Sequence, residues 1–274
     1  MKLLGVGDNV VDYYKDQKIY YPGGNALNVT IMSKVNGAVG NGYIGIVGDD
    51  QYGDHIVKTL YDMNIDVSHI RRACGENAVA YIELDEEGDR VFLGTNKERR
   101  IQSLLRLNLN KSDLEYIKGF DVIHTSINSH IEEQLPLLSF KPISFDFSTK
   151  SKWDKQYLEN VCAYIDIAFF SGSNMDEAEI NSLINTVHDS GVEIVGITRG
   201  EEEAIVSKNF KKYYQKPQVT KVVDTMGAGD SFISGFLTSY FDYYNVENAL
   251  QMAVDSAART CACNGAFDNG VKVK

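Results

Sequence analysis

Short apolar stretches of β-type residues alternate along most of this chain with stretches of helical character. The apolar stretches are KLLGVG, NGYIGIVG, DVIHTSI, PISFDFS, YIDIAFFSG and EIVGITRG. The segments of helical character between them include 24–36, 51–63, 131–138, 174–188 and 228–241. Strands that alternate with helices usually form a mainly parallel sheet with helices on both faces. The sequence therefore predicts an α/β fold with a mainly parallel central sheet.

Two β-rich segments interrupt this alternation. Residues 77–94 contain two β-type runs around Asp-Glu-Glu-Gly-Asp, a pattern typical of a hairpin, and residues 10–24 form a second piece rich in tyrosine. Because neither segment has helices to cover it, we expect a small antiparallel β lid formed by residues of about 10–22 and 75–97. An ordinary surface hairpin is the alternative. We expect residues 1–274 to form a single domain.

The composition narrows the classes of partner. The chain of 274 residues has 38 acidic and 27 basic side chains and a formal net charge of -11. An acidic protein binds poorly to nucleic acid or to an anionic membrane surface, because like charges repel. We therefore expect neither as a partner. Asp8 interrupts the apolar N-terminus, which argues against a signal peptide, and the four cysteines form no CxxC pair. These features predict a cytoplasmic protein.

The stretch DTMGAGDSF (224–232) places small residues where a helix is expected to begin. Gly227, Ala228 and Gly229 would leave the backbone N–H groups of the helix start open to an anion. Asp230 would repel that anion, yet it could accept the proton of a hydroxyl that attacks a phosphate held there. The alternative is that Asp230 only stabilises the helix dipole, and these residues alone leave both interpretations open.

Two longer motifs resemble signatures of a known family, the PfkB or ribokinase-like carbohydrate kinases. DTMGAGDSFISGF resembles its C-terminal signature, and PGGNALNVT (22–30) resembles its N-terminal one. The resemblance extends from residue 1 to about 267. It implies a ribokinase-like fold, ATP and Mg²⁺ as cofactors, a small-molecule sugar substrate, an anion hole at 227–229 and Asp230 as the catalytic base. It also implies a homodimer through the lid and a monovalent cation as a further cofactor.

By the same resemblance, Asp12, Gly24 and Asn28 hold the sugar. An aspartate and an asparagine together supply the acceptors and donors that a polyol requires, and glycine allows a tight turn into the helix. The alternative for these residues is a glycine turn followed by an asparagine that caps a helix.

Two further segments resemble the nucleotide-binding parts of the family. Asn174 and Glu177 in SNMDEAEI match an N-x-x-E motif that arranges Mg²⁺ and phosphates, so the resemblance implies indirect contact of Glu177 with Mg²⁺. A capping box is the alternative. Thr198 and Gly200 in GITRGEEEA match the nucleotide loop, although Glu203 departs from the pattern. The sequence has neither a Walker A motif nor a complete dinucleotide fingerprint.

The substrate is suggested by finer details. GDNVVD, GGNALNV, VGDDQYG and FDFS (145–148) resemble members of the family that act on fructoselysine. We therefore expect transfer of the γ-phosphate of ATP to a primary hydroxyl of a ketose-type substrate, fructoselysine or a related fructosamine. Arg90 and His130 are candidates for contacting the substrate tail, with a solvated arginine and a helix-capping histidine as alternatives. A fructokinase or ribokinase acting on a plain sugar, or a non-catalytic sugar-binding protein, are the other interpretations.

Overall fold

The alternating segments of the sequence form the strands and helices of a two-sheet structure. It is a computed structural model that describes residues 1–84 and 90–273, with Leu84 and Arg90 described by their backbone alone. The strands are β1 (Lys2–Gly7), β2 (Val10–Tyr14), β3 (Ile19–Gly23), β4 (Gly40–Gly48), β5 (Arg71–Ala73), β6 (Val79–Leu84), β7 (Arg90–Thr95), β8 (Val122–Ser126), β9 (Ile143–Thr149), β10 (Ile167–Ser171), β11 (Ile194–Thr198), β12 (Ala204–Lys208), β13 (Lys211–Gln215) and β14 (Val271–Lys272).

The larger sheet has the strand order β13-β12-β11-β10-β9-β8-β1-β4-β5. Strands β11 through β5 in that order are parallel, and the antiparallel strands β12 and β13 extend one edge. The apolar stretches singled out in the sequence form β1, β4 and β8 to β11. The prediction of a mainly parallel central sheet is therefore confirmed.

Helices cover both faces of this sheet. They are α1 (Asn25–Val35), α2 (Gln51–Asp62), α3 (Ile101–Leu104), α4 (Lys111–Ile117), α5 (Leu135–Leu138), α6 (Lys155–Cys162), α7 (Glu177–Asp189), α8 (Ala228–Tyr243) and α9 (Val246–Cys261). Phe169 of β10 packs in the core under α8 and α9, whereas its neighbour Phe170 packs in the core on the other face with α6 and α7. Adjacent residues of a strand point to opposite faces of the sheet, and helices cover both faces here. Consecutive residues of β10 are therefore apolar. None of the described helices is long and apolar enough to cross a membrane.

The smaller sheet forms the lid, with the strand order β14-β3-β2-β6-β7. Both predicted segments contribute a hairpin to it, β2–β3 and β6–β7, although residues 85–89 of the second lie outside the described residues. The hairpins join through β2 and β6, which run parallel, so the lid is antiparallel except at this pair. Val11 and Tyr20 pack against Leu27 and Ile56 of the main body, and this apolar contact holds the lid in place.

Candidate active site

A pocket of about 340 Å³ lies where the lid meets the carboxyl ends of the parallel strands. Ligands bind at this end of open α/β sheets because loops and helix N-termini converge there. Five predicted site residues line it, namely Asp12, Gly24, Asn28, His130 and Asp230. The side chain of Arg90 lies outside what the structure describes, so its predicted role stays a prediction.

Asp230 lies in the first turn of α8 and is only 8% exposed. Its two carboxylate oxygens accept hydrogen bonds from Asn25 Nδ2 at 3.0 Å and Asn28 Nδ2 at 2.7 Å. Burial, followed by the charge of Asp146, raises the pKa of Asp230 well above its ordinary value. A carboxylate with a raised pKa accepts a proton more readily, and this is the property a general base needs.

Asp146, in the middle of β9 and level with the last residue of β8, is a second buried carboxylate of this cluster that sequence reasoning missed. The same Asn25 Nδ2 group donates to Asp146 Oδ2 at 2.7 Å, so one amide bridges both acids. Burial raises the pKa of Asp146 to about 6, opposed by the hydrogen bond from the Ser148 backbone N–H. The signal was present in the sequence as a carboxylate inside the apolar stretch PISFDFS.

Asp8, just after β1, was also missed and positions the start of α1. Its carboxylate accepts from the backbone N–H groups of Asn25 at 2.8 Å and Ala26 at 3.2 Å. It also accepts from the hydroxyls of Ser126 and Ser129, both at 2.8 Å. Asp8 thereby caps, from a distant part of the chain, the helix that carries Asn25 and Asn28.

Gly23 and Gly24 precede α1 at positions where a larger residue would clash with its surroundings. Gly24 has a φ of +109°, and a Cβ on it would lie 2.7 Å from Asn9 Cα. A Cβ on Gly23 would lie 2.3 Å from Asp12 Oδ2, so a glycine there leaves space for the buried carboxylate that lines the pocket. These contacts favour a conformational role for the predicted Gly24.

Asn28 has an unused acceptor in addition to the donor that holds Asp230. Its Nδ2 group is used by Asp230, whereas its Oδ1 is buried and has no hydrogen-bond partner among the described residues. Buried acceptors are almost always satisfied in native structures, and Asn28 lines the pocket. This oxygen can accept a hydrogen bond from a hydroxyl of a ligand in the pocket.

The start of α8 has the open form expected of an anion cradle. Gly227 is its N-cap with a φ of +73°, and no side chain of the described residues caps the helix there. A Cβ on Gly227 would lie 2.6 Å from Ala266 Cβ, whereas one on Gly229 would meet no described atom within 4 Å. Gly227 is therefore required by the fold, while Gly229 leaves open space next to Asp230.

The predicted nucleotide residues lie outside the pocket lining but on the same edge of the sheet. Asn174 and Glu177 follow β10, and the neighbouring parallel strand β11 ends at Thr198, with Gly200 two residues beyond it. The alternative of a capping box formed by Asn174 and Glu177 is wrong, because the structure forms that box two residues further along the chain. Asp176 Oδ1 accepts from the Glu179 backbone N–H at 2.8 Å, and Glu179 Oε2 accepts from that of Asp176 at 3.1 Å. Capping therefore does not occupy Glu177, which is exposed.

The fold is similar to that of solved ribokinase-like structures. A protein of Escherichia coli described as a ribokinase II, solved in complex with ATP and Mg²⁺, superposes with a TM-score of 0.80 and 19% identity. The match covers 98% of this chain and 95% of that one. The model of the pfkB family of carbohydrate kinases matches residues 7–271, and the chain belongs to that family.

Two curated relatives are similar over nearly their whole length. The chain is 46% identical to fructosamine kinase FrlD of Bacillus subtilis (strain 168), over 98% of this chain and 94% of that protein. It is 33% identical to fructoselysine 6-kinase of Escherichia coli (strain K12), over 97% of this chain and 100% of that protein. The resemblance inferred from the two signature motifs is thus confirmed, and the chain is a sugar kinase.

Proposed function

We propose that this kinase transfers the γ-phosphoryl group of ATP to a primary hydroxyl of a fructosamine, such as fructoselysine. The observation that carries the proposal is the buried Asp230, held by two amides in a pocket and placed beside the open N-terminus of α8. Two relatives whose names give fructosamine and fructoselysine as substrates support the substrate class.

The geometry supports an in-line transfer with Asp230 as the base. The substrate hydroxyl gives its proton to the Asp230 carboxylate, and its oxygen forms a bond to the γ-phosphorus. The bond between that phosphorus and the β–γ bridging oxygen breaks, and ADP leaves with the electron pair. Backbone N–H groups at 227–229 stabilise the charge on the phosphoryl oxygens. Asp12 and Asn28 hold the sugar so that the hydroxyl faces Asp230.

The nucleotide would bind along the edge formed by the segments after β10 and β11. Asn174, Thr198 and Gly200 are the proposed phosphate and nucleotide contacts, and Glu177 would hold Mg²⁺ through water. Mg²⁺ usually keeps several waters and takes few protein carboxylates, so one exposed glutamate fits this ion. When bound, Mg²⁺ would neutralise negative charge on the phosphate oxygens.

Three further expectations remain proposals. A homodimer through the lid is supported by β7, the outer lid strand, where Phe92 is 65% exposed between the exposed Val91 and Leu93. Sedimentation of the protein and of a Phe92→Lys variant would test this. A monovalent cation is supported by the family resemblance and is tested by assays with and without K⁺. The cytoplasmic location rests on the sequence argument.

The substrate assignment is tested by ADP release with a panel of fructoselysine, other fructosamines, fructose, ribose and a nucleoside. We expect the highest kcat/KM for a fructosamine, and mass spectrometry with NMR should place the phosphate on the primary hydroxyl. A higher kcat/KM for fructose or ribose would replace the substrate with a plain sugar. Binding without ADP release from any of them would support the non-catalytic alternative.

A further inference from the structure

One wall of the pocket carries a cation that the sugar site does not use. Arg100 lies just before α3, lines the pocket and is partly buried. Its Nε donates to Ser103 Oγ at 2.8 Å, and no carboxylate of the described residues lies within 4 Å of its guanidinium. A guanidinium carries five N–H donors, so Arg100 has donors left for a ligand.

The charge of Asp8 acts on Arg100, but the carboxylate oxygens of Asp8 already accept hydrogen bonds. Four donors from α1 and the segment after β8 already hold that carboxylate. The described lining of the pocket also includes Asp12 and Asp230, and Arg100 is its one permanently charged cation. An anionic ligand group entering this acidic pocket would be repelled unless it paired with Arg100.

An unsatisfied buried acceptor belongs to Gln102, which also lines the pocket two residues further along the chain. Gln102 Nε2 donates to Asn77 Oδ1 at 2.9 Å and to the Ile46 carbonyl at 3.1 Å, which fixes the orientation of the amide. Gln102 Oε1 is buried and has no partner within the described part of the chain. Arg100 and Gln102 therefore offer the pocket a donor fork and an acceptor two positions apart in sequence, and neither is among the residues proposed to hold the sugar core.

We propose that Arg100 binds the carboxylate of the amino-acid half of the substrate and so selects amino-acid adducts over plain sugars. This inference rests on the proposed fructosamine kinase function and assigns the residue that recognises the tail. The guanidinium presents a planar pair of N–H donors that matches a carboxylate, whereas a neutral hydroxyl would use only part of it. His130, exposed at the rim, stays a separate prediction.

The test compares a fructosyl amino acid with the same compound converted to its C-terminal amide. For the parent enzyme we expect kcat/KM to be about tenfold or more higher for the acid, the usual effect of a hydrogen bond to a charged group. Arg100→Gln should lower kcat/KM about tenfold for the acid and less than about threefold for the amide. Arg100→Lys keeps the positive charge but lacks the planar pair of donors. Its kcat/KM for the acid should lie between the values of the parent and of Arg100→Gln.

Arg99→Gln is the matched control, because the adjacent Arg99 has a side chain that is 69% exposed and is paired with Glu76. It should keep the preference of the parent for the acid. Equal use of acid and amide by the parent, or parallel losses in Arg100→Gln with an unchanged melting temperature, would overturn the role of Arg100 and leave the fructosamine kinase standing. If the parent phosphorylates no fructosamine, the proposed function fails, and the inference fails with it.

Discussion

Asp230 and Asp146 share the amide of Asn25, and this sharing links the properties of the two residues. Both are buried, so ionising either one is unfavourable, and each negative charge raises the energy of the other. The pKa of Asp230 therefore depends on whether Asp146 is charged. The consequences can be tested one residue at a time.

Asp230→Asn keeps the shape of the side chain and removes the proton acceptor. We expect turnover to fall on the order of 10²–10⁴-fold, the usual contribution of general base catalysis. Binding of a non-hydrolysable ATP analogue should be retained, because the backbone at 227–229 is unchanged. Asp189→Asn, at an exposed position in the last turn of α7, is the control and should have parental turnover. Near-parental turnover in Asp230→Asn would show that Asp230 is not the base.

Asp146→Asn tests the coupling through pH. It removes a like charge that raises the pKa of Asp230, so that pKa should fall and Asp230 should stay ionised to lower pH. The acid limb of the kcat/KM profile should then move to lower pH. A profile measured from about pH 5 to 9 on the parent and the variant checks this. An acid limb that stays in place or moves to higher pH would contradict the coupling.

The same variant should alter folding stability in a pH-dependent way. The pKa of Asp146 is raised in the folded state to about 6, so the folded protein binds this proton more tightly than the unfolded chain. That stabilisation is complete below the ordinary aspartate pKa of about 4 and is lost as the pH rises through about 6. Relative to the parent, Asp146→Asn should therefore gain roughly 1–3 kcal/mol in unfolding free energy between about pH 4 and 7.5. Denaturant titrations of the parent and the variant at both pH values measure this change. If the difference in unfolding free energy between the two proteins were the same at both pH values, the prediction would be wrong.

At the scale of elements, the N-termini of α1 and α8 are completed in different ways. Asp8 caps α1 from the end of β1, which orients the two asparagines. The start of α8 instead has Gly227 as its N-cap, with no cap from a described side chain. A capped helix holds side chains rigidly, whereas an uncapped one can offer its backbone to phosphate.

Matched glycine variants separate folding from anion binding at α8. Gly229→Ala adds a methyl group where no described atom lies within 4 Å, so the melting temperature should stay near that of the parent. The methyl should displace the phosphate and lower turnover on the order of 10²-fold, the effect of about a 1 Å misplacement. Gly227→Ala should instead lower stability by about 1–3 kcal/mol because of its positive φ. If Gly229→Ala lost stability and activity together, its role would be purely structural.

At the scale of the whole molecule, one carboxylate joins the lid to the glycine-rich loop. Tyr14 Oη of β2 donates to Asp224 Oδ2 at 2.7 Å, and the same oxygen accepts from the Gly265 backbone N–H at 2.9 Å. Asp224 Oδ1 accepts from the Met226 backbone N–H at 2.9 Å. The lid, the loop before α8 and the C-terminal segment are thus connected directly behind the pocket.

Tyr14→Phe removes this connection while keeping the aromatic ring in place. We expect kcat/KM for the sugar to fall about tenfold, because a hydrogen bond to a charged group contributes about 1.5–3 kcal/mol. Tyr13→Phe, on the neighbouring lid position that packs against Tyr81, is the control and should behave like the parent. Steady-state kinetics on both variants measures the effect, and equal values for the two would argue against coupling through Asp224.

The sequence by itself determined the fold class and much of the pocket. The alternation of apolar strands and helices predicts a parallel sheet because each strand must bury both faces. The family resemblance predicted Asp12, Gly24, Asn28 and Asp230 as site residues, and all four line one pocket. Local motifs carry this information because a turn or helix start depends on residues a few positions apart.

Only the tertiary structure showed how the carboxylates converge. Asp8 follows β1, Asn25 begins α1 and Asp146 lies within β9, and no local pattern in the sequence relates them. Asn25 and Asp230 are 205 positions apart, and Asn25 and Asp146 are 121 apart. They meet because the carboxyl ends of parallel strands share one edge of the sheet, and the pKa values of the two acids depend on that burial and proximity.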